Sequence, residues 1–309
     1  MTDEAIPLKH TTTDTDSNSP KPTYLVGIDG GGTKCRANIY NTDKQLLGTG
    51  VSGSANPVNG LEQTKTSINN AIAQAIEHAK IKCQPSQLIV GAGLAGLHLP
   101  AMQESMGQWQ HPFKFLHFTT DIHAAVLGAH QQKNGAVIIL GTGFSALAMV
   151  DGKQMSIGGY GFPINATCSG SWFGLEAIKA VLLDKDQVGP YTSMTQAVFA
   201  AEDVIALATR LNNAQSFEFA KFAPLVFSHA DNGDELAISL IKQGADFINS
   251  VIRRFLAGGV HSIAFVGGVA PQIQKWLDPE LRLHVVEPKF SPEYGAMLLA
   301  QQQMAVING

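Results

Sequence analysis

The sequence predicts an α/β fold made of two related lobes with a cleft between them. Three observations predict it. Two short apolar strands, over 24–28 and 136–140, each end in a glycine-rich turn. Each turn runs directly into another strand rather than into a helix. The order of a strand triplet followed by helices then occurs twice along the chain. A third glycine turn, Gly267-Gly268-Val269, follows a further apolar strand near the C-terminus. Paired strand–glycine turn–strand units are able to aim backbone N–H groups at a phosphate, so the arrangement reads as a nucleotide held between lobes.

The elements follow in order. Beyond the first turn, Cys35, Ala37 and Ile39 alternate with Arg36, Asn38 and Tyr40, the period of a strand. A third strand is predicted over 46–50, then a polar loop, Ser52-Gly53-Ser54-Ala55-Asn56-Pro57. Over 58–79, Leu61, Ile68, Ala71, Ile72, Ala75 and Ile76 recur at helical spacing. A strand over 88–90 runs into Gly91-Ala92-Gly93-Leu94-Ala95-Gly96, and after a helix a strand over 115–119 leads to Asp121. The second half repeats the triplet over 136–140, 145–150 and 154–157. A glycine-rich loop over 158–170 then precedes a helix over 171–183. Helices dominate 192–256, the longest spanning about 234–256 and stopped by Gly258-Gly259. Strands over 262–266 and 283–286 and a last helix over 292–306 complete the chain. The expected domains are a disordered tail over 1–22, an N-terminal lobe over 23–120 joined by the C-terminal helix 291–309, and a C-terminal lobe over 121–290.

Composition narrows the function. The chain has 309 residues, 45% of them hydrophobic, enough to bury a sizeable core. Its net charge is −4 with no basic block, which argues against nucleic acid or a membrane surface as partner. No apolar run reaches the roughly 18 residues of a membrane helix. Cys35, Cys83 and Cys168 stand far apart with no CxxC pair, so neither a disulfide framework nor a zinc knuckle is expected, and a reducing, cytoplasmic setting fits. Residues 1–22 are rich in Thr, Ser and Pro, too polar to offset their ordering entropy. They lack the apolar core of a signal peptide and the arginines of a transit peptide.

The first turn, Asp29-Gly30-Gly31-Gly32-Thr33-Lys34, has two commoner rivals. A P-loop needs a helix after GxxxxGK[ST], and a Rossmann fingerprint also opens a helix. A strand follows here, so both fail. What remains is a tight hairpin whose glycines let backbone N–H groups approach phosphate oxygens, with Thr33 and Lys34 placed to touch them. An acidic oxygen at Asp29 suits Mg²⁺ held through water.

From Tyr24 to about Ala300 the chain resembles the BadF/BadG/BcrA/BcrD-type ATPase family of the actin–hexokinase–Hsp70 superfold, whose lobes have ribonuclease H-like architecture. Within it the N-acetylglucosamine and glucosamine kinases are the nearest likeness. Asp29 to Lys34 match the first phosphate motif. Gly141-Thr142-Gly143 with Ser145 match the second, and Gly267-Gly268 the adenosine motif. Thr120-Asp121 match the position of the catalytic aspartate. Ser54-Ala55-Asn56 and Gly93-Leu94-Ala95-Gly96 match sugar-facing loops, and Ser169-Gly170-Ser171-Trp172 the segment behind the sugar.

The resemblance implies ATP and Mg²⁺ as cofactors, Asp29 beside the metal, and Asp121 as the general base for an amino-sugar hydroxyl. It implies Asn56, Ala55, Gly93, Ala95, Thr142 and Ser169 around the acceptor. A homodimer is held open. Read from the residues alone, Asp121 is a helix N-cap, a role that can coexist with the base, and the rival reading of Asn56 is a turn residue before Pro57. His123 is expected on a helix face rather than in a metal pair, and Trp172 and Phe173 in the core.

One departure stands out. Relatives carry Gly-Asp-Glu-Gly-Ser-Gly where this chain has Asn165-Ala166-Thr167-Cys168-Ser169-Gly170. Two carboxylates are missing, each able to supply a charge-assisted hydrogen bond of about 1.5–3 kcal/mol. A cationic free amino sugar loses more from this than a neutral one, so N-acetylglucosamine is the expected acceptor, with glucosamine as alternative. A BadF-type activator ATPase, with no sugar substrate, is the alternative of another class. It needs cysteines clustered around an iron–sulfur centre. A chaperone-like or filament-forming ATPase needs a further domain or surface, for which two lobes leave no room.

Overall fold

The computed structural model describes residues 23–131, 134–201 and 203–308. The expected tail over 1–22 lies outside them. Two five-stranded sheets carry the fold. The first contains β1 (Tyr24–Gly30), β2 (Cys35–Tyr40), β3 (Leu46–Ser52), β4 (Leu88–Leu94) and β5 (Phe115–Thr120), in the order β3-β2-β1-β4-β5. The second contains β6 (Gly135–Leu140), β7 (Phe144–Val150), β8 (Lys153–Gly158), β9 (Ile263–Val266) and β10 (Val285–Val286), in the order β10-β9-β6-β7-β8. In each, an antiparallel meander of three strands pairs its first strand in parallel with a later one, β1 with β4 and β6 with β9. The two related lobes expected from the sequence are thus one topology used twice.

Helices cover the sheets. They are α1 (Leu61–Ala79), α2 (Pro100–Gly107), α3 (Asp121–His130), α4 (Gly170–Lys185), α5 (Ser193–Ala201) and α6 (Val204–Leu211). After them come α7 (Ser216–Ala220), α8 (Ala223–Asp231), α9 (Glu235–Ala257), α10 (Ala270–Gln274), α11 (Pro279–Arg282) and α12 (Pro292–Asn308). With both faces covered, β4 is buried along its whole length, as its unbroken apolar sequence requires. Phe173 and Phe255 are fully buried in the second lobe, each contributing about 1.5–3 kcal/mol of transfer free energy. No helix among the described residues is long and apolar enough to cross a membrane.

Two helices join the lobes. α3 leaves the first sheet but buries Ala125, Val126 and Ala129 against Val137, Leu147 and Ala264 of the second. α12 returns from the second sheet and buries Met297 and Ala300 against Leu25 and Ile89 of the first. They cross where Gly128 and Gly295 leave no room for a side chain against the partner backbone. Lys289 and Phe290 donate N–H bonds to the Ala129 and Gly128 carbonyls at 3.1 Å, continuing that seam.

Some boundaries differ from expectation. A short 3₁₀ turn, Pro57–Asn59, and Gly60 at φ 143° delay α1 to Leu61. The predicted strand over 283–286 shortens to two residues because the backbone through Arg282 is helical. The helix predicted over 171–183 runs from Gly170 to Lys185.

Candidate active site

The three glycine turns meet at one cleft of about 1120 Å³. The first turn closes with a Gly31 N–H to Lys34 carbonyl bond of 2.9 Å. Two loops are stitched beneath it. Ala55 donates its N–H to the Gly31 carbonyl at 3.0 Å, and Ala95 donates to the Gly30 carbonyl at 2.8 Å. Gly30 is required by that closeness, since a Cβ there would lie 2.5 Å from Leu94 Cδ2 and 2.9 Å from the Ala55 Cβ. The loops carrying Asn56 and Ala95 are therefore fixed to the hairpin that carries Thr33 and Lys34.

The second and third turns are joined in the same way. Val269 donates its N–H to the Leu140 carbonyl at 2.9 Å. Gly267, at φ 108°, lies so close to the Leu140–Gly141 backbone that no side chain fits. The start of α4 docks on the second turn through the Gly170 N–H to Gly141 carbonyl (2.8 Å) and Ser171 N–H to Thr142 carbonyl (3.1 Å) bonds. Gly32, Gly141, Gly143 and Gly268 have open space where a Cβ would stand. Their bare backbone would let phosphate oxygens approach closely.

Two carboxylates face this cleft from the first sheet. Asp29 ends β1, opposite Arg36 on β2 and beside Gly93 on β4. Burial, then the nearby Glu293 and Asp121 charges, push its carboxyl up to about 7 despite Lys34 and Arg36. A divalent cation at Asp29 would relieve that repulsion, so the residue fits Mg²⁺. Asp121 opens α3 at the end of β5, and burial also raises its pKa, opposed by a bond from the Ile122 N–H and by the His98 charge. The helix cap is not Asp121 but Thr120, whose Oγ1 accepts the His123 N–H at 3.2 Å. The Asp121 carboxylate accepts the Ile122 N–H on Oδ1 at 2.8 Å. Asn56 lines the cleft, and its Oδ1 accepts the Val58 N–H at 3.0 Å.

The cleft lining brings together Asp29, Gly31, Gly32, Thr33, Lys34, Asn56, Ala95, Asp121, Gly141, Thr142, Gly143, Ser145, Gly267 and Gly268. It does not take in Gly30, Ala55, Gly93 or Ser169. Gly30, Ala55 and Gly93 are packed beneath the floor. Ser169 is fully buried, and its hydroxyl caps α4 by accepting the Trp172 N–H at 3.2 Å, so it reaches no acceptor. Ala166 and Cys168 are likewise buried, with Cys168 held at φ 66° and its sulfur against Gly244 of α9. Positions 165–169, expected to carry two carboxylates in relatives, are absent from the cleft lining, with Ala166, Cys168 and Ser169 buried and Thr167 half-buried.

Sequence reasoning missed Arg36, His98, Gln272 and Glu293, which also line the cleft. Arg36 carried a signal, since it alternates with Cys35 on the strand directly after the first turn. Glu293 carried none beyond an acid beside Pro292. His123 sits on α3 with its Nδ1 3.0 Å from Thr119 Oγ1, Phe173 is fully buried, and Trp172 packs against the same core.

Residues 26–300 match the profile of the BadF/BadG/BcrA/BcrD ATPase family. The chain belongs to this family. As a family member it is an ATP-using protein. A relative in Vibrio cholerae, glucosamine kinase GspK, is 37% identical over 281 residues, covering 90% of this chain and 95% of that one. The N-acetyl-D-glucosamine kinase of Dictyostelium discoideum is 30% identical over 253 residues, 74% of this chain and 79% of that one. A crystal structure from Chromobacterium violaceum, provisionally described as an N-acetylglucosamine kinase, superposes with a TM-score of 0.86 at 28% identity. It covers 91% of this chain and 100% of that one. A glucokinase of the ROK family from Streptomyces griseus shares the fold, with a TM-score of 0.57 at 19% identity over 90% of this chain and 99% of that one.

Proposed function

We propose that this member of the family is an ATP-dependent amino-sugar kinase, forming the 6-phosphate of glucosamine or N-acetylglucosamine. The observation that carries the reading is the place of Asp121. Asp121 lines the same cleft as the phosphate turns, Asn56 and Ala95. Phosphoryl transfer needs positioning and charge neutralisation more than covalent help. Backbone N–H groups of the first two turns, with Thr33, Lys34 and Ser145, would hold the triphosphate. Gly268 leaves room for the nucleoside, and Gly267 lets that turn pack on the Leu140–Gly141 backbone. Mg²⁺ beside Asp29 would neutralise phosphate charge when bound. Asp121 takes the proton as the acceptor's O–H bond breaks, the new O–P bond forms to the γ-phosphorus, and ADP leaves with the electrons of the broken P–O bond. Asn56 Nδ2 is the donor offered to an acceptor hydroxyl, because its Oδ1 is used by Val58.

The two relatives with assigned amino sugars support the substrate class and divide on the acyl group. The expectation of N-acetylglucosamine rested on carboxylates missing from positions 166 and 167. Neither residue lines the cleft, so both acceptors stand as the tested pair. The activator alternative needs gathered thiols, whereas Cys35 lies in β2, Cys83 beyond α1 and Cys168 before α4. Free cysteines and a demand for ATP suit a cytoplasmic setting.

The test is ADP release by purified protein with Mg-ATP and glucosamine, N-acetylglucosamine, N-acetylmannosamine or glucose. Release that depends on an amino sugar is expected, because lobe closure around acceptor completes the site. Equal release with and without any sugar would overturn the kinase reading.

A further inference from the structure

We propose that Glu293 is a second anionic anchor for the nucleotide's divalent cation, acting with Asp29 on the floor of the cleft. The inference rests on the nucleotide reading above. Glu293 is 2% exposed yet lines the cleft, and its Oε2 is buried without a hydrogen-bond partner. The other oxygen, Oε1, is 3.8 Å from Arg36 Nε, too far for a good hydrogen bond, and the Arg36 side chain is 45% exposed. A carboxylate buried on such terms is disfavoured unless something compensates its charge. A helix N-terminus favours an acid in its first turn, but that effect does not need the side chain to be buried with a bare oxygen.

The placement is rigid. Glu293 stands in the first turn of α12, and its backbone carbonyl rests directly on Gly27 of β1, where no side chain fits. Asp29 lies two residues further along the same strand. The two carboxylates thus come from elements locked together, one at a strand end and one at a helix start. Hard divalent cations take carboxylate oxygens directly or through water. Arg36 is the cation shared by both acids, 3.8 Å from Glu293 Oε1 and opposite Asp29 on β2, and a divalent cation between them would balance the remaining negative charge.

The experiment is Mn²⁺ binding, read from the EPR signal of free Mn²⁺ in the presence of saturating AMPPNP. It compares wild type, Glu293→Gln and Asp29→Asn, with metal-free AMPPNP affinity measured by calorimetry. E293Q is expected to weaken Mn²⁺ about tenfold or more, while metal-free AMPPNP binds as well or better because a negative charge is gone. An unchanged Mn²⁺ affinity in folded E293Q would overturn the inference. Should E293Q fail to fold, Glu293→Asp keeps the charge and withdraws it by one methylene, and it is expected to weaken Mn²⁺ by about threefold or more. Wild-type affinity in E293D would overturn the inference equally. Wild type that binds no AMPPNP, with or without metal, overturns the nucleotide reading itself.

Discussion

Gly93 of β4 and Ala124 of α3 are packed so closely that a methyl group on Gly93 would stand 2.6 Å from the Ala124 Cβ. The same methyl would stand 3.5 Å from the Asp121 Cα. The floor of the first sheet therefore sets the height of the helix that begins with the proposed base. Gly93→Ala is expected to push α3 outward, lowering kcat and costing about 1–3 kcal/mol of stability. Turnover and a melting curve on the same preparation check it. A variant matching wild type in both would show that the contact does not position Asp121.

Asp121→Asn removes the proposed proton acceptor and keeps the side chain's shape. A loss of about 10²- to 10⁴-fold in kcat is expected, with AMPPNP affinity retained. Near-normal turnover would dismiss Asp121 as base. Burial holds its carboxyl above the usual value of 3.8. The base works ionised, so the acid limb of the wild-type kcat profile should lie above the ordinary carboxylate range.

Asp29 has a pH signature in stability. Its folded carboxyl is raised from 3.8 to about 7, so between those values the native state binds more protons than the unfolded chain. Stability from this group is therefore present below pH 3.8 and declines as pH rises toward about 7. Without nucleotide or metal, Asp29→Asn should raise the melting temperature at pH 8 relative to wild type, and much less at pH 5. An equal shift at both pH values would contradict the raised carboxyl.

Asn56 separates two roles by atom. Asn56→Asp keeps the Oδ1 bond to the Val58 N–H and removes the Nδ2 donor. It should raise the acceptor KM while leaving the melting temperature and the ATP KM near wild type. Asn56→Ala should also lose the turn's cap, at a cost of about 1 kcal/mol. Equal changes in both KM values for Asn56→Asp would remove the residue from the acceptor pocket.

Much of the fold was legible because its signals are local. Period-two alternation marked β2, and the run from Leu236 to Phe255 marked α9 at helical spacing. The first two glycine turns declared themselves because a strand, not a helix, follows each. Boundaries were less legible where backbone conformation decided them, as at Gly60, or where the strand predicted over 283–286 gave way to helix through Arg282. Ser169 is expected at the acceptor because the family resemblance matches Ser169-Gly170-Ser171-Trp172 to the segment behind the sugar. Only the folded chain shows its hydroxyl spent on capping α4.

By itself the sequence determined the repeated strand triplets, the three backbone turns and the acids at Asp29 and Asp121. Glycine content, strand period and residue chemistry act over a few neighbouring residues. The tertiary structure alone decided that Glu293, distant along the chain, lines the same cleft as Asp29, that Thr120 rather than Asp121 caps α3, and that positions 166–169 stay out of the cleft lining. Those facts depend on which helix crosses which sheet, and long-range packing is set by burial summed over the whole chain rather than by any local pattern.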